Sequence, residues 1–226
     1  MTPRIGLPSI LLLFFGGLLA AVVAYFACLA FEVPRFAGQL ISAIVNDGYW
    51  LAHYQIQAHG RGWPNLRARF TAVPQKALLL GGGAAIALIA VFIAVFEVLR
   101  WMGVELKPIP TTDLLKGGPK SLPFIFILLV ILAPAAEELL CRGLLLDWLR
   151  QRMAVVPSII IAGVIFGLMH GISVHSGTTG WLQLGYRMAL GVISGIFAVR
   201  YRSLLPCLVL HAVNNCVVVI AASQLK

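Results

Sequence analysis

Charge is scarce in this chain. Only 11% of its 226 residues are Asp, Glu, Lys or Arg, and just 8 are acidic, whereas a soluble domain carries about 25% charged residues. With 60% of the sequence hydrophobic, this scarcity excludes an ordinary soluble globular fold. Alternation at strand spacing is missing as well, which argues against a transmembrane β-barrel. Cysteine is limited to Cys28, Cys141, Cys207 and Cys216, all in apolar segments and none in CxxC spacing. They read as small apolar helix residues and imply neither a zinc cluster nor an oxidising compartment. No basic run is interleaved with aromatics, so the net charge of +9 does not point to nucleic acid. The basic residues lie scattered between apolar segments, where Lys and Arg sit beside anionic lipid. Internal repeats and low-complexity tracts are absent.

Apolar runs of about 20 residues, the length a helical span needs, recur along the chain. The fold class they indicate is all-α: a polytopic transmembrane helical bundle of about six spans plus an interfacial helix, multi-pass in the cell membrane with the lipid bilayer as solvent. The spans are drawn at 9–31, 77–99, 121–149, 157–170, 181–200 and 204–223. The first follows Arg4 and runs 23 residues from Ser9 to Phe31. A signal-peptide core has about 7–15 residues, so a retained helix is expected here. Pro134 lies three residues before Glu137 and should kink the third span, freeing a carbonyl that a neighbour must satisfy. Gly163 and Gly167, and Gly191 and Gly195, have the i, i+4 spacing that lets helices approach closely in lipid.

Residues 37–56 are only semi-apolar and carry Tyr49, Trp50 and Tyr54, the composition of a helix lying in the interface. His53 and His59, six apart, suit no compact helical metal pair and are expected to be solvated or interfacial. Pro108, Pro110, Gly117, Gly118 and Pro119 make 100–120 irregular. This loop divides the chain into N-terminal spans with their interfacial segment (1–120) and a four-helix transmembrane core (121–226). Under a six-span layout, one side collects Arg35, Arg61, Arg67, Arg69, Lys76, Arg150, Arg152, Arg200 and Arg202. The other has Arg4, Lys107, Lys116, Lys120 and Lys226, so the first side is expected to be cytoplasmic.

The most polar chemistry lies inside the most apolar segments. Glu137, Glu138 and Arg142 sit in the third span, His170 ends the fourth, and His211 and Asn215 belong to the sixth. Ionisable groups in hydrocarbon are expensive and by default mark function. Counted from the cytoplasmic ends, Glu137 lies about 20 Å deep, His170 about 21 Å, His211 about 12 Å and Asn215 about 18 Å. Four polar groups on three spans therefore fall within about one and a half helical turns of depth. Glu138 and Arg142 are i, i+4 with the acid first, the favourable order for a pair. Glu137 points elsewhere and stays free. Phe166 shares a face with His170, as His211 does with Asn215.

These groups suit hydrolysis of a peptide bond. A carboxylate in a low-dielectric cavity can serve as general base on water, aided by a neutral histidine. A second histidine with an asparagine amide can supply donors to a developing oxyanion. Glu, His and His could equally form a catalytic zinc site with an open fourth position, and the residues alone do not separate the two. Asn214 is expected beside Asn215 as a packing group, His175 in solvent, and Arg187 snorkelling to the interface, with a salt bridge to Glu138 as a lesser possibility. A proton-coupled transporter and a non-catalytic scaffold or immunity-type membrane protein are the competing classes, since intramembrane acids also line ion pathways.

Glu137-Glu138-x-x-x-Arg142, then Phe166-x-x-x-His170, then His211-x-x-x-Asn215, on successive apolar segments, resembles the CPBP family of CAAX-processing and bacteriocin-processing intramembrane proteases. The resemblance covers about residues 120–220. It implies a helical-bundle endopeptidase acting on a membrane-anchored protein or peptide. It assigns Glu137 and His170 to water activation, His211 and Asn215 to the oxyanion site, and Glu138, Arg142 and Phe166 to support. The metal-free version of the chemistry is favoured, with no cofactor, and a zinc-type ion at Glu137, His170 and His211 is the alternative. Family members often have eight spans, more than are drawn here.

Overall fold

Proline and glycine set the helix ends. Pro8 occupies the first turn of the first helix, Pro34 and Pro74 precede two others, and Gly62 ends the second in the left-handed conformation (φ 67°). The computed structural model describes residues 5–107, 121–171 and 177–224, and every regular element among them is helical. In chain order these are α1 (Leu7–Ala30), α2 (Arg35–Arg61), α3 (Leu66–Arg69), α4 (Gln75–Trp101), α5 (Leu122–Arg150), α6 (Val155–Met169), α7 (Gly177–Tyr201) and α8 (Leu205–Gln224). His175 and most of the 100–120 loop lie outside the described residues.

All six expected spans are helices. Four of them (α1, α4, α5 and α7) are long and apolar enough to cross a membrane. The other two are shorter: α6 has 15 residues, about 22 Å of helix against a hydrocarbon core of about 30 Å. On its own α6 is therefore too short to cross that core, and it ends at His170. Large apolar side chains cover the outer faces, among them Phe15, Leu19 and Phe26 on α1 and Leu79, Ile86 and Val91 on α4. Phe31 and Trp101 stand exposed at helix ends, where aromatic residues meet the membrane surface.

The segment 37–56 departs from its expected place. It lies within α2, a 27-residue helix that runs antiparallel along the length of α1 rather than across its end. Ser42 Oγ donates to Ala21 O at 2.7 Å, Gly38 faces Cys28, and Phe14 stacks on Trp50. Its buried residues include Gly38, Asp47, Trp50 and Tyr54. Gln39, Ser42, Asn46 and Asp47, which lower its hydropathy, face the cavity or the protein interior. Within α2, His53 stacks on Tyr49 with ring centroids 5.1 Å apart, whereas His59 is exposed.

This hairpin also changes the side assigned to the N-terminus. Ile5 N donates to Gln151 Oε1 at 3.2 Å, Arg69 pairs with Asp147 at 2.6 Å, and Leu204 N donates to Arg69 O at 2.8 Å. The N-terminal end of α1 therefore shares a face with the α5–α6 and α7–α8 connections. Among the described residues that face carries Arg61, Arg67, Arg69, Lys76, Arg150, Arg152, Arg200 and Arg202. Arg35 moves to the opposite face with Arg100 and Lys107, so among the described residues the arginine-rich face keeps eight of these basic residues against three.

Small residues hold α6 and α7 together, at the positions the glycine spacing indicates. A Cβ on Gly191 would stand 2.7 Å from Gly163 O and 2.8 Å from its Cα, and one on Gly195 would stand 3.0 Å from Ile159 Cγ2. Backbone, not a flexible side chain, blocks the first. Gly191→Ala is therefore expected to lower stability by about 1–3 kcal/mol through overpacking, read as a lower thermal midpoint. Gly185→Ala, whose new methyl meets open space, is the control. Equal midpoints for the two variants would contradict this packing.

Candidate functional site

The site is built around the centre of α5, where the helix changes its winding. π-helical turns at Ile127–Leu132 and Leu139–Leu145 flank a short α segment, Ala133–Glu138, which carries Pro134 and both acids. Such wider turns rotate side chains and release carbonyls, and they recur at functional sites. One carbonyl beside Pro134 is that of Leu129, and Asn215 Nδ2 donates to it at 2.8 Å. The proline expectation and its satisfied carbonyl thus meet in one contact.

Glu138 and Arg142 are fully buried, with Arg142 Nε 3.2 Å from Glu138 Oε2. The guanidinium also donates to Gly191 O at 3.0 Å and lies 4.3 Å from the Phe166 ring centroid. Burying a charge is tolerable only when it is paired and hydrogen-bonded; the cluster pairs the two charges and gives each a hydrogen bond, while Glu138 Oε2, Arg142 Nε and Arg142 Nη1 have none among the described residues. The other oxygen of Glu138 faces His211 Nδ1 at 3.0 Å. A carboxylate oxygen paired with an arginine accepts, so His211 bears a proton on Nδ1 and turns Nε2 to the site.

Glu137 is the point of convergence. Its Oε2 stands 3.5 Å from His170 Nε2 and 3.7 Å from His211 Nε2. His170 Nδ1 lies 2.9 Å from Phe166 O. A carbonyl can only accept, so Nδ1 bears a proton, and when the ring is neutral Nε2 is an acceptor. Phe166 wedges between the two imidazoles, with ring centroids 4.7 Å from His170 and 5.5 Å from His211. Exposure separates the roles. The Glu137 and His170 side chains are 20% and 28% exposed, whereas those of Glu138 and His211 are 0% and 4%. Glu137 and His170 reach a cavity of about 400 Å³ bounded by α1, α2, α5 and α6.

The structure therefore gathers Glu137, Glu138, Arg142, Phe166, His170 and His211 into one cluster. Asn215 is near but engaged elsewhere: its donor is committed to Leu129 O, and its Oδ1 accepts from Asn214 Nδ2 at 2.8 Å. Asn214 in turn accepts from the Tyr186 hydroxyl. Tyr186 on α7, packed on Phe92, was not singled out in the sequence because a lone tyrosine in an apolar helix carries no distinguishing spacing. Arg187 does not pair with Glu138. Its Nη1 makes long contacts of 3.4 and 3.5 Å to His170 O and Gly171 O, a cation at the carbonyl end of α6. It thereby steadies the backbone that carries His170.

Donor atoms for a metal would have to come from Glu137, His170 and His211. Carboxylate and imidazole suit zinc in kind, but among the described residues no group of three His, Cys, Asp or Glu side chains is arranged to hold a metal ion. All four cysteines are free thiols: Cys28, Cys141 and Cys207 are buried, and Cys216 is partly so.

Residues 119–217 match the family model described as Type II CAAX prenyl endopeptidase Rce1-like. The match takes in α5 to most of α8, and thus every residue of the cluster, and it leaves α1, α2 and α4 outside. No curated protein and no solved structure matches the chain.

Proposed function

We propose, from the membership of residues 119–217 in the Rce1-like family, that the chain is an intramembrane endopeptidase of a membrane-anchored protein or peptide, seated multi-pass in the cell membrane. The observation that carries the reading is the facing of Glu137 Oε2 and His170 Nε2 at 3.5 Å in a cavity at mid-bundle. Carboxylate and unprotonated nitrogen are both acceptors. Two acceptors so placed suit a molecule that donates to each, as a water does. Its lone pair is then free for a substrate carbonyl, and Glu137 takes the proton as the bond forms.

His211 is the group placed to steady the oxyanion. Glu138 holds its Nδ1 proton, as a buried carboxylate orients an imidazole in other hydrolases, and the proton that Glu137 takes from water, passed to Nε2 at 3.7 Å, lets the ring donate to the oxyanion. Asn215 enters this scheme through its hold on Leu129, as a brace for the wound segment that presents Glu137. Asn215→Ala should accordingly lower the thermal midpoint, by about 1–3 kcal/mol for an orphaned buried acceptor. A direct oxyanion donor would instead lose about 10²–10³-fold in kcat at unchanged stability, and that result would return Asn215 to the reaction.

The face rich in arginine is assigned to the cytoplasm by the positive-inside rule. The chemistry is assigned to water and side chains without a metal. Incubating the purified protein with 1,10-phenanthroline or EDTA should leave cleavage within about twofold of the untreated rate. Loss of activity with chelator, restored by zinc, would move Glu137, His170 and His211 to a metal-ligand role.

A further inference from the structure

The cavity at Glu137 has two walls that the family match does not cover. From α1 come Phe14, Leu18, Ala21 and Tyr25, and from α2 come Gln39, Ser42, Asn46 and Trp50. The polar residues of α2 recur at i, i+3 and i+7, so they form one stripe along the helix. A polar stripe on a helix at membrane depth is unfavourable against lipid or an apolar neighbour. Ser42 is accounted for by its bond to Ala21 O. Asn46 Nδ2 donates to the buried Asp47 at 3.0 Å, and Asn46 Oδ1 faces Gly17. Gln39 is half-buried at the cavity wall and forms no hydrogen bond with the described residues. Gln39 thus retains donor and acceptor capacity toward the cavity that holds Glu137 and His170, and Asn46, on the wall of the same cavity, keeps an Oδ1 that no donor fills among the described residues.

Helix packing shows how the cavity is reached. The α1–α2 hairpin packs on α5 through Trp50, Tyr54, Leu139, Leu140 and Leu144. It makes no comparable packing with α6. The cavity therefore lies in the fissure between the hairpin and α6, where Met169 and His170 form the far wall.

We propose that the α1–α2 hairpin is the substrate-binding wall of the enzyme. The Gln39 and Asn46 amides hold the main chain of an extended substrate segment, while Phe14 and Leu18 receive its apolar side chains. This rests on the peptidase reading and names the conformation of its substrate. A helical substrate has its backbone groups paired internally and could not use the amides. An unwound one exposes N–H and C=O groups that must be satisfied in an apolar site. Main-chain hydrogen bonds supply affinity with little dependence on side chains. The site should therefore accept unfolded chains that offer apolar side chains to Phe14 and Leu18, which makes fluorescein-labelled casein a usable probe.

The test uses the full-length protein in phosphatidylcholine vesicles with that casein. Gln39→Leu and Asn46→Leu should each raise KM at least fivefold with kcat within about twofold. Gln39→Asn should recover part of the loss. Ile44→Leu, on an exposed position of α2, should leave KM unchanged. Thermal midpoints are measured alongside, because Gln39 has no internal partner to lose and its variant should remain as stable as the wild type. Casein cleaved in a Glu137-dependent manner with KM unmoved by Gln39→Leu and Asn46→Leu would overturn the hairpin site and leave the peptidase reading standing. Casein left intact, while natural membrane substrates are cut, would overturn main-chain recognition. If nothing is cut, casein or natural substrate, both readings fail.

Discussion

Glu137→Gln is expected to reduce peptide-bond cleavage by about 10²–10⁴-fold, the range lost with a general base, at unchanged protein abundance. The amide has nearly the shape of the carboxylate, and the Glu137 side chain reaches the cavity instead of being sealed in the core. The variant should therefore fold. It cannot take a proton from water, and its NH2 would donate toward His170 Nε2, replacing two facing acceptors by a closed hydrogen bond. His170→Gln should fall in the same direction, since the second acceptor for the water is lost. Initial rates in membranes containing equal amounts of each protein measure both. A Glu137→Gln protein that cuts at the wild-type rate would remove the proposed base from the reaction.

Arg142→Leu should have the largest effect on stability. The guanidinium neutralises Glu138, donates to Gly191 O and covers the Phe166 ring. Without it a carboxylate is left buried and unpaired, which costs about 3–5 kcal/mol, enough to empty the folded population of many domains. Steady-state abundance and thermal midpoint should both drop. Replacing both partners, as Glu138→Leu with Arg142→Leu, should recover much of the stability, because a buried ion pair can be exchanged for apolar residues at little net loss. Activity should stay low in the double variant, because His211 Nδ1 no longer has Glu138 at 3.0 Å to fix its tautomer. A double variant that regains both stability and activity would show that the Glu138–His211 contact does not serve the reaction.

The contrast between α5 and α2 shows what the sequence could reveal. Glu137, Glu138 and Arg142 stand out because everything around them is apolar, and depth counting alone brings them level with His170 and His211. The structure places those side chains within 4 Å of one another where the spacing suggests it. In α2 the same physics hides the signal. Gln39, Ser42, Asn46 and Asp47 face the cavity or the interior, so they lower the hydropathy of a helix that lies lengthwise on α1. Average hydropathy does not distinguish polar groups turned inward from polar groups turned toward water. A helical-face reading of 39, 42 and 46 could have found the stripe.

Other features have no local signature. The π-turns of α5 flank the segment that carries Pro134. The commitment of Asn215 to Leu129 O depends on the resulting path of the chain. Arg187 was legible as a charge inside a span, but its partner was not. The shortness of α6 puts the carbonyls of His170 and Gly171 within its reach. The side of the N-terminus likewise depended on whether α2 lies along α1.

The measurement that bears most directly on the central claim is a comparison of peptide termini in membranes of the native host. One sample expresses the wild-type chain and the other Glu137→Gln, at matched levels. New protein ends should appear only with the wild type, clustered in segments next to a membrane anchor. Identical sets of termini in the two samples would contradict the assignment of Glu137 and its histidines to peptide-bond hydrolysis.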